Sequence, residues 1–376
     1  MSIETISPQI PNYNVISKKF KKCFDEKYLT NDGRNLLEFE KNLQKYFKSK
    51  IKPVVFCNGE MSLYSLIQAW KIHLKIDKCK ALVPSFTFSG TVNALVQNNI
   101  EPIFCDIDST LTIDLSKAKI DKDIKFVIAA SVYGNIPDII NIKKFCKKNN
   151  LVFILDNAPG FCSRINNKFP NNYNVDQIYS FHATKIFNSV EGGCAITSNK
   201  SIQKILKALR NFGQLDKKTN DVIVPGLNSK MSELSAIVGL ENLKNINLIL
   251  SKRKQVIKRY TEFFKTLENK NFISLMNVKK NIFCNFFFFP IILKNKSSQQ
   301  FINFMNKKKI YCRTYYKSVH TLTYYKKINL LKSKSDLSFT NKIKNKIIAI
   351  PLHSEMKNKQ IGYLFKSVEQ FFMHKK

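Results

Sequence analysis

The feature that most constrains this chain is an alternation of short, continuously apolar runs with amphipathic stretches. The runs are PVVFC (53–57), ALVPS (81–85), PIFCD (102–106), FVIAA (126–130), LVFILD (151–156), IYSF (178–181) and CAITS (194–198). Between several of them, SLYSLIQAWKIHLK (62–75), FSGTVNALVQNN (88–99) and PDIINIKKFCKKN (137–149) carry apolar residues at helical spacing, as does LLEFEKNLQKYFKS (36–49) ahead of the first run. Strands without a polar face, separated by helices, predict an α/β fold whose mostly parallel sheet is covered on both sides. In such sheets ligands gather beyond the carboxyl ends of the strands.

A helix is expected at about 201–212 and a longer one at about 230–265, with a break near Asn245. After about 250 the pattern changes to one strong strand, CNFFFFPIIL (284–293), a helix at 298–308 and a final helix at 357–372. This predicts a large domain over residues 1–250 and a smaller α+β domain over 251–376. Residues 1–30 read as irregular, ending in the turn signal YLTNDG (28–33), and the lysine- and asparagine-rich stretches 213–221 and 326–345 read as loops.

Composition narrows the function classes. The net charge of +35 comes from lysines spread along the whole chain rather than gathered in one patch, which argues against nucleic acid as a partner. It still favours attraction of a phosphorylated small molecule. The nine cysteines form no C-x-x-C pair, so neither a disulfide framework nor a zinc site is indicated. IFCNFFFFPIIL (282–293) is too short to span a bilayer, and MSIETISPQIPNYN lacks the basic-then-apolar pattern of a signal peptide. No membrane association and a cytoplasmic location are the expectations.

The candidate chemistry sits just past strand ends. In YSFHATKIFNSVEGG (179–193) one lysine, Lys185, lies between two apolar strands. Burying an ammonium is costly, and a desolvated lysine is a nucleophile suited to Schiff-base chemistry, whereas a loop lysine that reaches solvent is the plain alternative. Asp156 closes LVFILD and needs a cationic or hydrogen-bonding partner; a protonated pyridine nitrogen, a helix cap and a salt bridge all qualify. The strand–glycine–helix turn in CNGEMSLYSL (57–66) offers amides to an anion, and Ser180 adds a hydroxyl, although such turns are also common structural devices. Phe88 follows a strand and suits either a planar heterocycle or the core.

The set LTNDG, NGE-SL, VPSFTFSGTVNAL–EPIFCDID, VYGN, LDNA, SFHATK–EGG, GLNSKMSEL and IPLHSEM, in that order, resembles the DegT/DnrJ/EryC1/StrS sugar aminotransferases. The resemblance runs from about residue 28 to 371 and is nearest the branch that aminates dTDP-4-keto-6-deoxyglucose. It implies fold type I of the pyridoxal-phosphate (PLP)-dependent transferases, with a seven-stranded sheet in the large domain. The implied reaction moves an amino group from L-glutamate to a nucleotide-linked keto-sugar. A 3-keto-sugar aminotransferase and a non-catalytic relative are the other readings.

By the resemblance, Lys185 is the Schiff-base lysine, Asp156 holds the pyridine nitrogen protonated and Phe88 stacks on the ring. Gly59 and the amide of Glu60, with Ser180, hold the phosphate, and Asn228 reaches it from a second subunit, which implies a homodimer with shared sites. Tyr315, Tyr316 and His320 would line the nucleotide-sugar cleft, Arg313 or Lys230 would meet the diphosphate, and His182 lies in the lysine loop as a substrate contact or a structural histidine. Three departures from the family pattern stand out. Glu60 replaces the usual threonine after the glycine, and Ser318 replaces a proline. Pro159 replaces the hydrogen-bonding residue after the aspartate, leaving Asn157 as the nearest amide to compensate.

Overall fold

The computed structural model describes residues 2–215, 219, 221–327 and 336–373. Helices α1 (Tyr13–Asp25) and α2 (Arg34–Phe47) precede strands β1 (Val54–Phe56), β2 (Cys79–Pro84), β3 (Ile100–Cys105), β4 (Ile124–Ala130), β5 (Val152–Asp156), β6 (Arg164–Ile165), β7 (Asp176–Ser180) and β8 (Gly193–Ile196). All but β6 form one seven-stranded sheet in the order β1-β8-β7-β5-β4-β2-β3. The pairs β2–β3, β2–β4, β4–β5 and β5–β7 are parallel, while β8 runs against both neighbours. Every expected strand of the large sheet is present.

Helices α3 (Gly59–Leu74), α4 (Ser89–Gln97) and α5 (Ile139–Lys148) connect strands, and α6 (Lys200–Arg210) follows the sheet. The α3 and α6 side of the sheet buries Phe56, Leu66, Val83 and Ile128, and the α5 side buries Leu82, Val127 and Leu155. Burial on both faces is why these runs carry no alternating polar positions.

Two helices, α7 (Glu233–Lys244) and α8 (Ile246–Asn269), meet at Asn245, where a break was expected. The anticipated division at residue 250 falls inside α8. Its first turns bury Ile246 and Leu250 with the large sheet, and its later turns bury Val256, Tyr260 and Phe264 in a separate core. That second core belongs to a three-stranded antiparallel sheet of β9 (Ile273–Leu275), β11 (Phe289–Leu293) and β12 (Ile347–Ile350), in the order β12-β11-β9. Between β9 and β11, β10 (Ile282–Phe283) pairs with β6. The remaining helices are α9 (Ser298–Lys307), α10 (Thr323–Lys327), α11 (Ser338–Ile343) and α12 (Asn358–Met373).

Three expectations are corrected. Residues 1–30 are not irregular: α1 occupies 13–25, capped by the Asn12 side chain, and Ile3 forms a parallel bridge to Ile310. The strand expected over 284–293 begins only at Phe289, because the carbonyls of 285–287 turn onto Arg253 and Phe286 adopts a φ of 45°. The 326–345 stretch contains α11, whose start is capped by Asp106 through Phe339 N at 2.7 Å and Thr340 N at 2.8 Å; positions 328–335, like 216–218 and 220, lie outside the described residues. Among the described residues no helix is long and apolar enough to cross a membrane.

One buried carboxylate joins α7 to α2. Gly33 cannot cap α2 with a side chain, so Glu233 accepts the N–H groups of Asn35 at 2.8 Å and Leu36 at 3.1 Å from the start of α7. With Glu233 only 1% exposed, Glu233→Ala strands both donors. It is expected to cost about 1–3 kcal/mol, read as a lower midpoint in chemical denaturation.

Candidate active site

The carboxyl ends of β1, β2, β4, β5 and β7 open on one cleft of about 380 Å³. It brings together Gly59, Glu60, Phe88, Asp156, Ser180, His182 and Lys185 from the large sheet with Arg313, Tyr315 and Tyr316 from the segment before α10. Asn228, Lys230 and His320 do not line it.

Asp156 is the last residue of β5. One oxygen accepts Thr91 Oγ1 at 2.6 Å, the other accepts the Ala158 N–H at 3.1 Å, and Thr91 is itself bonded to Thr87 at 3.0 Å. Burial pushes the Asp156 carboxyl up from its ordinary range; the Thr91 and Ala158 bonds and the charge of Lys185 push it back. Lys185 shows the converse. Burial lowers its amine to about 8, against the opposing pull of Asp156. A lysine in this state is in part a free base near neutral pH, which an exposed lysine is not.

The anion side is built by backbone approach. Asn58 caps α3 by accepting the Met61 N–H at 2.8 Å, which leaves the first amides of the helix facing the cleft. A Cβ on Gly59 would stand 2.7 Å from Ser180 Cβ, and one on Gly193 would stand 2.6 Å from Gly59 Cα. Glycine at both positions therefore lets the helix start, the end of β7 and the start of β8 touch. A phosphate fits this cradle of amides and hydroxyl.

Phe88 is 51% exposed in the cleft, at the start of α4, with its ring centroid 6.2 Å from that of the buried Tyr316. Glu60 is exposed, and its carboxylate turns away toward the first turn of α4: a Cβ on Gly90 would lie 3.5 Å from Glu60 Oε2. Phe88 gives α4 no side-chain cap, so the helix start is a favourable pole for that carboxylate. His182 bonds Thr184 Oγ1 at 2.8 Å and lies 3.4 Å from Glu191 Oε1.

The residues outside the cleft have other surroundings. His320 is hydrogen-bonded to Ser85 and stands edge-on to Phe104, so it anchors the strap before α10 rather than facing the cleft. Asn228 bridges to Asn211, and Lys230 Nζ lies 4.0 Å from the Phe212 ring centroid. Asn157 does not compensate for Pro159: it is fully buried and donates to Gln177 Oε1 at 2.9 Å. Pro159 itself lines the cleft, its carbonyl held by Asn285 Nδ2 at 2.7 Å. Sequence reasoning passed over Thr91, whose signal was available: it lies three residues after Phe88, on the first turn of the helix beside Asp156.

Comparison with known proteins finds similarity along nearly the whole chain. The sequence model of the DegT/DnrJ/EryC1/StrS aminotransferase family matches residues 13–369. A dTDP-4-amino-4,6-dideoxy-D-glucose transaminase of Shigella dysenteriae is 26% identical, over 96% of this chain and 97% of that protein. A UDP-4-amino-4,6-dideoxy-N-acetyl-β-L-altrosamine transaminase of Helicobacter pylori is 24% identical, over 94% of each. Among solved structures, the Helicobacter pylori aminotransferase PseC, involved in the biosynthesis of pseudoaminic acid, superposes with a TM-score of 0.89 at 21% identity, covering 99% of both chains.

The geometry sets two measurable outcomes. Labelling of Lys185 by an amine-directed reagent rises as pH passes through about 8, because the free base is the reactive form; site-resolved mass spectrometry reads the midpoint. Gly193→Ala forces the 58–59 turn away from Ser180 and weakens phosphate-dependent retention of PLP by about tenfold or more, read by spectral titration of the apoprotein.

Proposed function

This chain belongs to the DegT/DnrJ/EryC1/StrS aminotransferase family, whose cofactor is pyridoxal phosphate, and we propose that it aminates dTDP-4-keto-6-deoxy-D-glucose to the 4-amino sugar with L-glutamate as donor. The activity at the level of class is sugar-nucleotide transamination. The dTDP substrate rests on the Shigella relative; the Helicobacter relative carries UDP in its name, so the nucleotide is the part the experiment must decide. The product would serve surface polysaccharide or glycoconjugate synthesis in the cytoplasm. We take residues 1–250 as the cofactor domain and 251–376 as the smaller domain.

The observation that carries the reading is a desolvated lysine facing a desolvated aspartate in one cleft, with an exposed aromatic ring and an anion cradle beside them. That set fits pyridoxal phosphate. Gly59, the Glu60 amide and Ser180 would hold its phosphate, Phe88 would cover its ring, and Asp156 would pair with its protonated nitrogen. When bound, the cofactor supplies an electron sink that acidifies the donor's Cα–H. Lys185, as the free base, takes that proton and later delivers one to the sugar C4. The bonds from Thr91 and the Ala158 amide favour the ionised form of Asp156 against the burial that opposes it. Phe86, Tyr133 and Tyr316 pack as an aromatic wall that excludes water on the side of the small domain.

Arg313, exposed at the cleft mouth, suits the substrate's diphosphate, with Tyr315 and Tyr316 beside it. Asn228 and Lys230 lie on a loop that exposes Phe212, Val222, Ile223 and Leu227. Such an apolar patch supports cover by a second copy of the chain, with Asn228 reaching the partner's phosphate.

The test is to incubate the protein with glutamate and a panel of dTDP-, UDP- and GDP-linked keto-sugars, and to identify the aminated product by mass and NMR. Lys185→Ala is expected to lower turnover by about 10³-fold or more and to abolish the visible absorbance of lysine-bound cofactor. Wild-type turnover by that variant would sink the assignment.

A further inference from the structure

Lys185 lines the cleft on one side and, together with Phe287, a small cavity of about 20 Å³ on the other. Phe287, 4% exposed, places its ring centroid 4.3 Å from Lys185 Nζ, on the far side of the lysine loop from the cleft mouth. The backbone of Phe287 is pinned at both polar groups: its N–H donates to the Tyr133 carbonyl at 2.9 Å, and its carbonyl accepts Arg253 Nη2 at 3.0 Å. Arg253, in the first half of α8 and 3% exposed, directs further donors to the same segment and to the chain just past β12. Nε reaches Asn285 O at 2.8 Å, Nη2 also reaches Phe286 O, and Nη1 reaches Leu352 O at 3.2 Å. Each of these bonds ends on a backbone carbonyl, so the guanidinium acts as a template for the shape of 285–287.

We propose that Phe287 is a positioning residue for the transamination, its ring narrowing the space behind the reactive amine to about the size of one water and fixing that amine over the ring face, with Arg253 holding Phe287 in place. The proposal rests on the reading that Lys185 is the reactive amine.

Two physical effects of the ring oppose each other, which makes the role separable from simple core filling. The apolar wall disfavours the ammonium, and burial is the dominant reason the amine sits near 8. The ring face, by contrast, attracts a cation. A small side chain at 287 enlarges the cavity behind the lysine, admits more water and loses both effects; leucine keeps the wall and loses only the ring's quadrupole. The charged and titratable groups around the lysine are Asp156 and Glu60 in the cleft, His182 and Glu191 on its own loop, Arg253 and His353 behind it, and Arg313, Tyr315 and Tyr316 from the strap. None of these groups is substituted in the variants, so a difference between the alanine and leucine proteins reports the ring.

The experiment uses full-length apoprotein, pyridoxal phosphate and borohydride trapping across a pH series, with the modified residue mapped by mass spectrometry. Wild type is expected to label Lys185 with a midpoint near 8. Phe287→Ala should raise that midpoint by about one unit or more, and Phe287→Leu should lower it by about half a unit. Phe264→Leu, a buried ring in the other core, should lower the melting temperature and leave the midpoint in place. A folded Phe287→Ala protein with an unmoved midpoint overturns the proposal. If Phe287→Ala does not fold, an unmoved midpoint in Phe287→Leu overturns it instead. Labelling of wild type elsewhere than Lys185 overturns the functional reading beneath it.

Discussion

The structure turns on keeping a lysine and an aspartate together where little water reaches them. Neither charge would survive there alone, because desolvation costs several kcal/mol per ion even after relaxation. Asp156 is held by a hydroxyl and an amide from different elements, and Lys185 feels the aspartate's charge while being lowered by burial. The parallel strands sustain this arrangement: β4, β5 and β7 pair along their lengths and fix where Asp156 and Ser180 end. A softer scaffold would let the pair drift apart or let solvent in, and the lysine would return to an ordinary ammonium.

The same platform explains how a carboxylate can stand next to the proposed phosphate cradle. Gly59 and Gly193 remove the side chains that would hold β1, β7 and β8 apart at their ends, so the amides of α3 converge with Ser180. Glu60 leaves this cradle by its backbone and sends its carboxylate to the uncapped start of α4. Two helix N-termini thus face one cleft, and the resident acid occupies one pole while the other stays open to an anion. The departure from the family's threonine, which on sequence alone set an acid against a phosphate, is resolved by geometry rather than by loss of the site.

What was legible in the sequence was what depends on local pattern. The strands of the large sheet read as unbroken apolar runs because both their faces are buried, and Asp156 and Lys185 stood out as candidates because ionisable residues at the ends of such runs need a partner. What was not legible depends on contacts distant in sequence. The apolar run CNFFFF (284–289) looked like strand throughout, yet residues 285–287 bend because a guanidinium on another helix collects their carbonyls. α1 carries lysine, serine and asparagine at a spacing that hides its one fully buried residue, Cys23. His320 sits in a cleft-like motif but turns to Ser85, a choice made by the path of the strap and not by its neighbours in sequence.

Arg253 shows why the junction between the two cores carries a charge where an apolar residue would escape the desolvation penalty. The helix it sits on is common to both: Leu250 is buried with the large sheet and Val256 with the small one, and Arg253 lies between them. An apolar side chain at that point would leave the carbonyls of Asn285, Phe286 and Phe287 without partners, and they would relax into the strand that their sequence favours. Straightened, the segment would withdraw Asn285 from the Pro159 and Phe161 carbonyls and Phe287 from Lys185 in one motion. The buried guanidinium therefore contributes specificity more than stability. It selects the one backbone path that covers the loop after Asp156 and narrows the space behind the lysine.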